Sequence, residues 1–339
     1  MMLLFAVFLG CAWFFAHKIL SLSQSPGRNS ASKPQTSNLS PKQGLKTFKD
    51  SNRHHVTISN RYKRVVLSQT NSLLFLPGGI LAECTGGIAA SGFHILDIKE
   101  HYQEVHSLST DGLLHSHEDG RGCFLLLDSS HTAKQPKLLM LESSRSVMYK
   151  TTMLEQTRNP KYLLAPVRED FALPKELGDP VCGISSGPVD SHHKVFIFHR
   201  RENENYTVLS EIDLLSKKTG VRVLRSVDSF RNASTSKQTQ LNVTGLAWLG
   251  RLLLLCTSQD HKLVLLDPKS MKLVDQIDLS EVATDYKQHQ ESQGRSQHPH
   301  SRTEYFTAVS VNPTTGEIYV TGSKWEYIYR LRVLGFGNQ

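Results

Sequence analysis

SLLFLPGGILAECTGG, residues 72–87, is two short apolar runs joined by Pro-Gly-Gly. Runs of this length bounded by turn residues read as buried strands, and Pro-Gly-Gly sets a tight reversal between them. The second run carries one carboxylate, Glu83, between Ala82 and Cys84, just ahead of Thr85 and a Gly-Gly pair.

The same order of strand, turn and strand recurs along the chain. It returns in GCFLLLDSSHTAKQPKLLMLESSRSVMYK, in GLAWLGRLLLLCTSQDHKLVLLDPKSMKLVDQIDL and in TAVSVNPTTGEIYVTGSKWEYIYRLRV, and more weakly in DFALPKELGDPVCGISSGPVDSHHKVFIF. The units start near residues 72, 123, 170, 245 and 307. Strand repeats of this period stack as the blades of a propeller. The expected fold is all-β, a five-bladed β-propeller over residues 61–335. Polar stretches at 203–239 and 285–304 read as surface insertions, and long amphipathic helical patterns are absent.

Ahead of the repeats, Met1–Ala16 is an unbroken apolar run closed by His17 and Lys18. It is short for a membrane span and suits a signal-peptide core. Residues 1–23 are therefore expected to be a signal peptide or a signal anchor that delivers the chain to the secretory pathway, secreted or anchored. Any membrane contact would be confined to that segment. Residues 24–60 are rich in Ser, Lys, Gln and Asn and read as a disordered basic linker. The chain carries a net charge of +8, much of it between Lys33 and Arg64. Only Phe48 and Tyr62 interleave with those charges, which argues against a nucleic-acid arm. Three sequons, Asn205-Tyr-Thr, Asn232-Ala-Ser and Asn242-Val-Thr, are compatible with a secreted glycoprotein.

The cysteines, Cys11, Cys84, Cys123, Cys182 and Cys256, form no C-x-x-C. Beyond the leader they read as buried thiols, with one or two disulfides as the alternative in an oxidising compartment. LHSHEDG offers His115, His117, Glu118 and Asp119 but no further ligand set, and it reads as a solvated turn. No metal and no cofactor is expected.

The unit patterns resemble the glutamine cyclotransferases of the plant, bacterial and protozoan type. The family's first blade reads F-T-Q-G-L-x-F, a turn, then L-Y-E-S-T-G. Here Gln69–Phe75 and Leu81–Gly86 stand in those places. Its last two blades read I-D-P-x-T-x-K-V-x-x-x-I-D-L and D-P-x-T-G-x-L-x-V-T-G-K-x-W, similar to LLDPKSMKLVDQIDL and NPTTGEIYVTGSKW. The resemblance covers about residues 60–335. It implies a five-bladed propeller and an enzyme of the acyltransferase class, converting the N-terminal Gln of peptides or proteins to pyroglutamate with release of ammonia. It places Glu83 on the catalytic glutamate, at a strand end facing the channel.

That chemistry is intramolecular, so proximity lowers much of the barrier. What remains is proton traffic, from the attacking amine to the departing nitrogen, and one carboxylate can carry both transfers. A donor must meet the developing oxyanion, for which Asn71 and Lys324 are the candidates. Phe171, Trp248 and Trp325 are the expected substrate-binding walls.

Several positions depart from the family. Its Gln becomes Asn71 and its Phe becomes Gln69. G-E-G becomes Gly120-Arg121-Gly122, and the aromatic that follows becomes Ser143. L-N-E-L-E-W becomes Val243–Trp248, and the Trp of N-V-W-Q becomes Ser258. The Lys of T-G-K-x-W becomes Ser323, with Lys324 adjacent and Trp325 kept. Arg121 is placed to pair with Glu83 and weaken it as a base. Two readings stand at this point. One is a divergent glutaminyl-peptide cyclotransferase that depends on Glu83. The other is a catalytically inactive propeller that binds peptides or proteins. A monomer is expected in either case.

Overall fold

The structure is a computed structural model. It describes residues 53–64, 69–76, 78–86, 92–98, 104–107, 122–126, 137–142, 147–155, 157, 162–165, 169–177, 181–186, 194–200, 206–216, 220–258, 261–294, 305–323 and 325–333. All of them belong to one unit, Lys49–Gln339. The leader and most of the basic linker lie outside the described residues, as do Lys324, Arg121 and the LHSHEDG stretch.

The first strand, β1 (Arg53–Lys63), lies in the segment expected to be a linker. Its alternation explains the fold it takes. Val56, Ile58, Tyr62 and the following Arg64 turn inward, while Thr57, Ser59, Arg61 and Lys63 are exposed. The boundary drawn at residue 61 therefore moves back to Arg53.

The opening hairpin is as expected. β2 (Gln69–Leu76) and β3 (Ile80–Gly86) pair antiparallel, and β4 (Gly92–Asp97) and β5 (Glu104–Ser107) complete a four-stranded sheet in the order β2-β3-β4-β5. Gly78 and Gly79 make the turn with φ of +85° and +77°, a conformation that side chains with a Cβ resist.

The next sheet has β6 (Gly122–Leu126), β7 (Lys137–Glu142), β8 (Val147–Glu155), β9 (Tyr162–Leu164) and β10 (Glu169–Ala172). Both β9 and β10 pair with β8. The repeat expected to start near residue 170 thus begins later, because β10 closes the sheet before it. A four-stranded sheet follows, β11 (Val181–Ser186), β12 (Lys194–Arg200), β13 (Thr207–Ser216) and β14 (Gly220–Val227). The stretch 203–239, expected as a surface insertion, supplies β13, β14, β15 (Phe230–Asn232) and β16 (Gln238–Thr239).

Two further meanders end the chain. One is β17 (Val243–Leu249), β18 (Leu252–Thr257), β19 (Lys262–Asp267) and β20 (Lys272–Asp278). The other is β21 (Phe306–Val311), β22 (Ile318–Gly322) and β23 (Tyr327–Val333). Between them runs the helix α1 (Ser280–Ser292), covering the start of the stretch at 285–304 that reads as a loop. The remainder of that stretch lies outside the described residues.

β1 joins the two meanders. It pairs parallel with β20 from Arg53 to His55, then antiparallel with β23 from Val56 to Lys63. The N-terminal strand therefore finishes the C-terminal sheet.

The first strands of the meanders are neighbours. β2 lies beside β6 and β21, β11 beside β6 and β17, and β17 beside β21. The approach is close: a Cβ on Gly245 would stand 3.3 Å from the Ala308 Cα and the Thr307 carbonyl oxygen. The architecture is mostly β and propeller-like.

Candidate functional site

Glu83 sits near the middle of β3, one strand out from the innermost strand β2. Its register partners are Leu73 on β2 and His94 on β4. Residues two apart on a strand share a face, so Glu83 shares its face with Leu81 and Thr85. That face packs on the last sheet. Leu73, Leu81, Leu96 and Ile98 meet Tyr62 of β1 and Ala308, Tyr319 and Ile328. The expected placement at a channel-facing strand end is thus corrected: Glu83 lies in the interface between the first and last sheets.

There the carboxylate is fully buried, at 0% exposure. Arg64 Nε donates to Glu83 Oε1 at 2.6 Å, and Thr70 Oγ1 donates to the same oxygen at 2.7 Å. Neither Arg64 nor Glu83 exposes side-chain surface. Arg64 also donates through Nη1 to the Trp325 carbonyl at 2.6 Å, and its backbone N–H donates to the Glu326 carbonyl at 2.8 Å. One guanidinium therefore ties β3 of the first sheet to the turn between β22 and β23 of the last. Among the described residues the partner of Glu83 is Arg64; the pairing expected for Arg121 lies outside them. Glu83 Oε2 makes no hydrogen bond among the described residues.

Thr70 reaches Glu83 because of a bulge. Thr70 pairs with Thr85 and Ser72 with Cys84, leaving Asn71 as the extra residue. The same irregularity recurs at the start of three other innermost strands, at Cys182 in β11, Thr244 in β17 and Thr307 in β21. Bulges re-aim the chain and its side chains, and they gather where a strand edge meets a site. Thr244 Oγ1 donates to the Phe306 carbonyl at 2.8 Å, bridging neighbouring strands. Thr307 is buried, and its Oγ1 has no hydrogen-bond partner among the described residues.

His94, like Arg64 and Thr70, is a member of the cluster that the sequence does not flag. Burial pushes its imidazole below the ordinary range, opposed by the nearby Glu83 carboxylate and reinforced by Arg64. It is held toward the neutral form. Its Nδ1 makes no hydrogen bond among the described residues.

The expected aromatic walls are dispersed. Trp325 is a core residue: its ring stacks on Tyr286 at 4.3 Å and meets Phe306 and Tyr329 edge-on. It reaches the Glu83 cluster only through its carbonyl. Trp248 is half-buried, with its ring edge-on to Phe196 at 5.8 Å. Phe171 lies on β10, in the sheet of β6, β7 and β8. Asn71 occupies the β2 bulge. The side chains of Asn71 and Phe171, like Lys324, lie outside the described residues.

Cys84 and Cys256 are buried thiols, and burial pushes the Cys256 thiol up to about 12 against a hydrogen bond with Thr244. Among the described residues no group of His, Cys, Asp and Glu could hold a metal ion. The Asn232 side chain is buried, and its Oδ1 accepts from the Ser234 backbone and hydroxyl and from the Thr235 backbone.

No protein-family model matches the sequence, and no curated protein is significantly similar to it. The structure is similar to the crystal structure of glutaminyl cyclase from Myxococcus xanthus, with a TM-score of 0.53 at 13% identity, over 83% of this chain and 97% of that one. It also matches the β-propeller domain of Cps50 (Swd1) from Myceliophteria thermophila, with a TM-score of 0.39 at 11% identity, over 81% of this chain and 99% of that one. A chain of a nidogen–laminin complex follows, with a TM-score of 0.35 at 12% identity, over 75% and 73%. The first of these is a likeness of fold, and it supports a structural relationship to the glutaminyl cyclases.

Proposed function

We propose that the chain is a five-bladed β-propeller of the secretory pathway that binds peptide or protein segments at one end of its channel without cyclising them. The neighbour relations of β2, β6, β11, β17 and β21 support the blade count, since they run from strand to strand and return to β2. The leader-like segment 1–23 supports the compartment.

The observation that carries the reading is the state of Glu83. A proton shuttle must meet a substrate amine and exchange protons with it. Glu83 has no exposed surface and holds a guanidinium and a hydroxyl on one oxygen. The guanidinium at 2.6 Å and the hydroxyl at 2.7 Å occupy the Oε1 atom that would have to face a substrate amine. The carboxylate acts instead as one half of the ion pair that joins the first and last blades. The binding surface we assign is the channel end at which β2, β11, β17 and β21 begin, where the bulges at Asn71, Cys182, Thr244 and Thr307 re-aim the chain.

A second reading is favoured by Glu83 Oε2, which is unpartnered among the described residues, and by the fold likeness to a glutaminyl cyclase. In it the chain cyclises N-terminal Gln through that oxygen. One experiment separates the two. Full-length protein and Glu83→Gln are incubated with a short Gln-initiated peptide, and ammonia, pyroglutamate and peptide binding are measured. Saturable binding without turnover is expected. Turnover above the uncatalysed rate that Glu83→Gln loses would overturn the binding-module reading in favour of the enzyme.

A further inference from the structure

The turn that receives Arg64 lies under α1. Tyr286, on the second turn of the helix, stacks flat on Trp325 with ring planes 10° apart. Asp285 accepts from Arg61 of β1 at 2.9 Å. His289 lies 3.3 Å from the Glu326 carboxylate and packs edge-on against Tyr327 at 4.8 Å. Gln293, just past the helix, donates to the same carboxylate at 3.0 Å. Each contact lands on β1 or on residues 325–327, next to the carbonyls of Trp325 and Glu326 that hold Arg64.

The helix itself is weakly anchored by apolar burial. Val282 and Ala283 are its buried residues; the N-cap residue Leu279 supplies no side-chain cap, and Asp278 accepts from the Ser280 N–H at 2.9 Å. A helix of this length is marginal without tertiary contacts. Its position therefore depends on Tyr286 and the polar ties to the closing turn. That dependence runs both ways, since Trp325 is covered on one face by Tyr286.

We infer that α1 is a clasp on the closure of the fold: docked, it holds residues 325–327 and Arg64 in place, and with them the Arg64–Glu83 ion pair; lifted, it frees Arg64 and uncovers the Glu83 carboxylate. The device rests on the structural role given to Glu83 above and adds a means of regulating it. A partner that competes for Tyr286 would open the seam between the first and last sheets.

Hydrogen exchange on the full chain tests this. In Tyr286→Ala, amides of α1, of Gly322, Ser323, Trp325 and Glu326 and of Arg64 should lose protection together, by tenfold or more, while Lys194–Arg200 in the third sheet is unchanged. Tyr286→Phe keeps the stacked ring and should restore the wild-type pattern. Asp285→Ala, which removes the carboxylate that accepts from Arg61, should give the same pattern more weakly. Loss confined to α1, or loss spread evenly over all sheets in both variants, would overturn the clasp. The exchange readout is independent of turnover, so it stands apart from the cyclisation assay.

Discussion

Between the second and third sheets, Leu139, Leu141 and Met148 meet Val195, Ile197 and Ile212 in an apolar cluster. Between the first and last sheets, Leu73, Leu81, Ala308 and Ile328 do similar work, but Arg64, Thr70, Glu83 and His94 are set beside them. The difference follows from where the two sides come from. The second and third sheets are consecutive in the chain. The first and last are brought together by β1, with Arg64 reaching a carbonyl 261 residues away. Apolar packing tolerates sliding and repacking. A buried ion pair does not, because misplacing either partner leaves a charge without solvent or counter-charge. The seam that has most ways to close wrongly carries the contact that most penalises error.

That contrast can be broken most forcefully at Arg64. Arg64→Met strands a buried carboxylate and should destabilise the fold by about 3–5 kcal/mol in denaturant unfolding. Adding Glu83→Leu should restore most of the loss, since apolar replacement of a whole buried pair is close to neutral. The apolar interface offers no such rescue: Ile197→Ala should cost about 2–5 kcal/mol through the cavity it leaves. A double variant no more stable than Arg64→Met would show that the pair is not the unit that matters.

A smaller effect is expected at Gly322. A Cβ there would stand 2.3 Å from Trp325 Nε1, against a ring already packed on Tyr286 and Phe306. Gly322→Ala should destabilise by about 1–3 kcal/mol through overpacking and shift the tryptophan emission. An unshifted spectrum at wild-type stability would mean that the closing turn has slack.

The smallest and most selective effect is one of pH. Glu317 on the last sheet is also ion-paired, but with partners that reach solvent. Burial would push its carboxyl up; hydrogen bonds from Arg330, Thr315 and Arg332 outweigh this and hold it below the ordinary value. The unfolded chain then binds the proton more readily, so this contribution is present above the ordinary carboxylate range and is lost as pH falls through the folded value. Stability measured from neutral pH into the acid range should fall less steeply in Glu317→Gln. An unchanged slope would assign the acid limb to other groups.

How much of this could be read from the residues depends on how each one is buried. The Ser72–Gly87 hairpin was legible because both strands are apolar and the glycines can serve only a turn. β1 was obscured by its own solvent face: Arg61 and Lys63 alternate with Val56, Ile58 and Tyr62, and the charges dominate the composition. α1 was hidden for a related reason, with Val282 and Ala283 buried in a helix of Lys, Gln, His and Glu. Glu83 stood out by its setting, yet its partner did not. An arginine in a basic segment reads as solvated unless the strand phase is known, and in that phase Arg64 follows Tyr62 inward. Trp325 was legible as a kept residue, but its neighbours Tyr286 and Phe306 come from separate elements, and only their convergence makes it core.

The pairing of β1 with β23 also sets a timetable. Ser59 bonds to a carbonyl 271 residues further along. At about 5–20 residues per second, translation separates those two residues by roughly 15–55 s. Through most of that interval β1 is clear of the ribosome with neither of its partner strands made, for β20 and β23 both come late. An alternating strand with a free edge is a template for other chains, so the nascent protein passes through its most aggregation-prone stage long before synthesis ends. Its solvent face of Thr57, Ser59, Arg61 and Lys63 is then a safeguard during manufacture as well as a surface in the finished molecule.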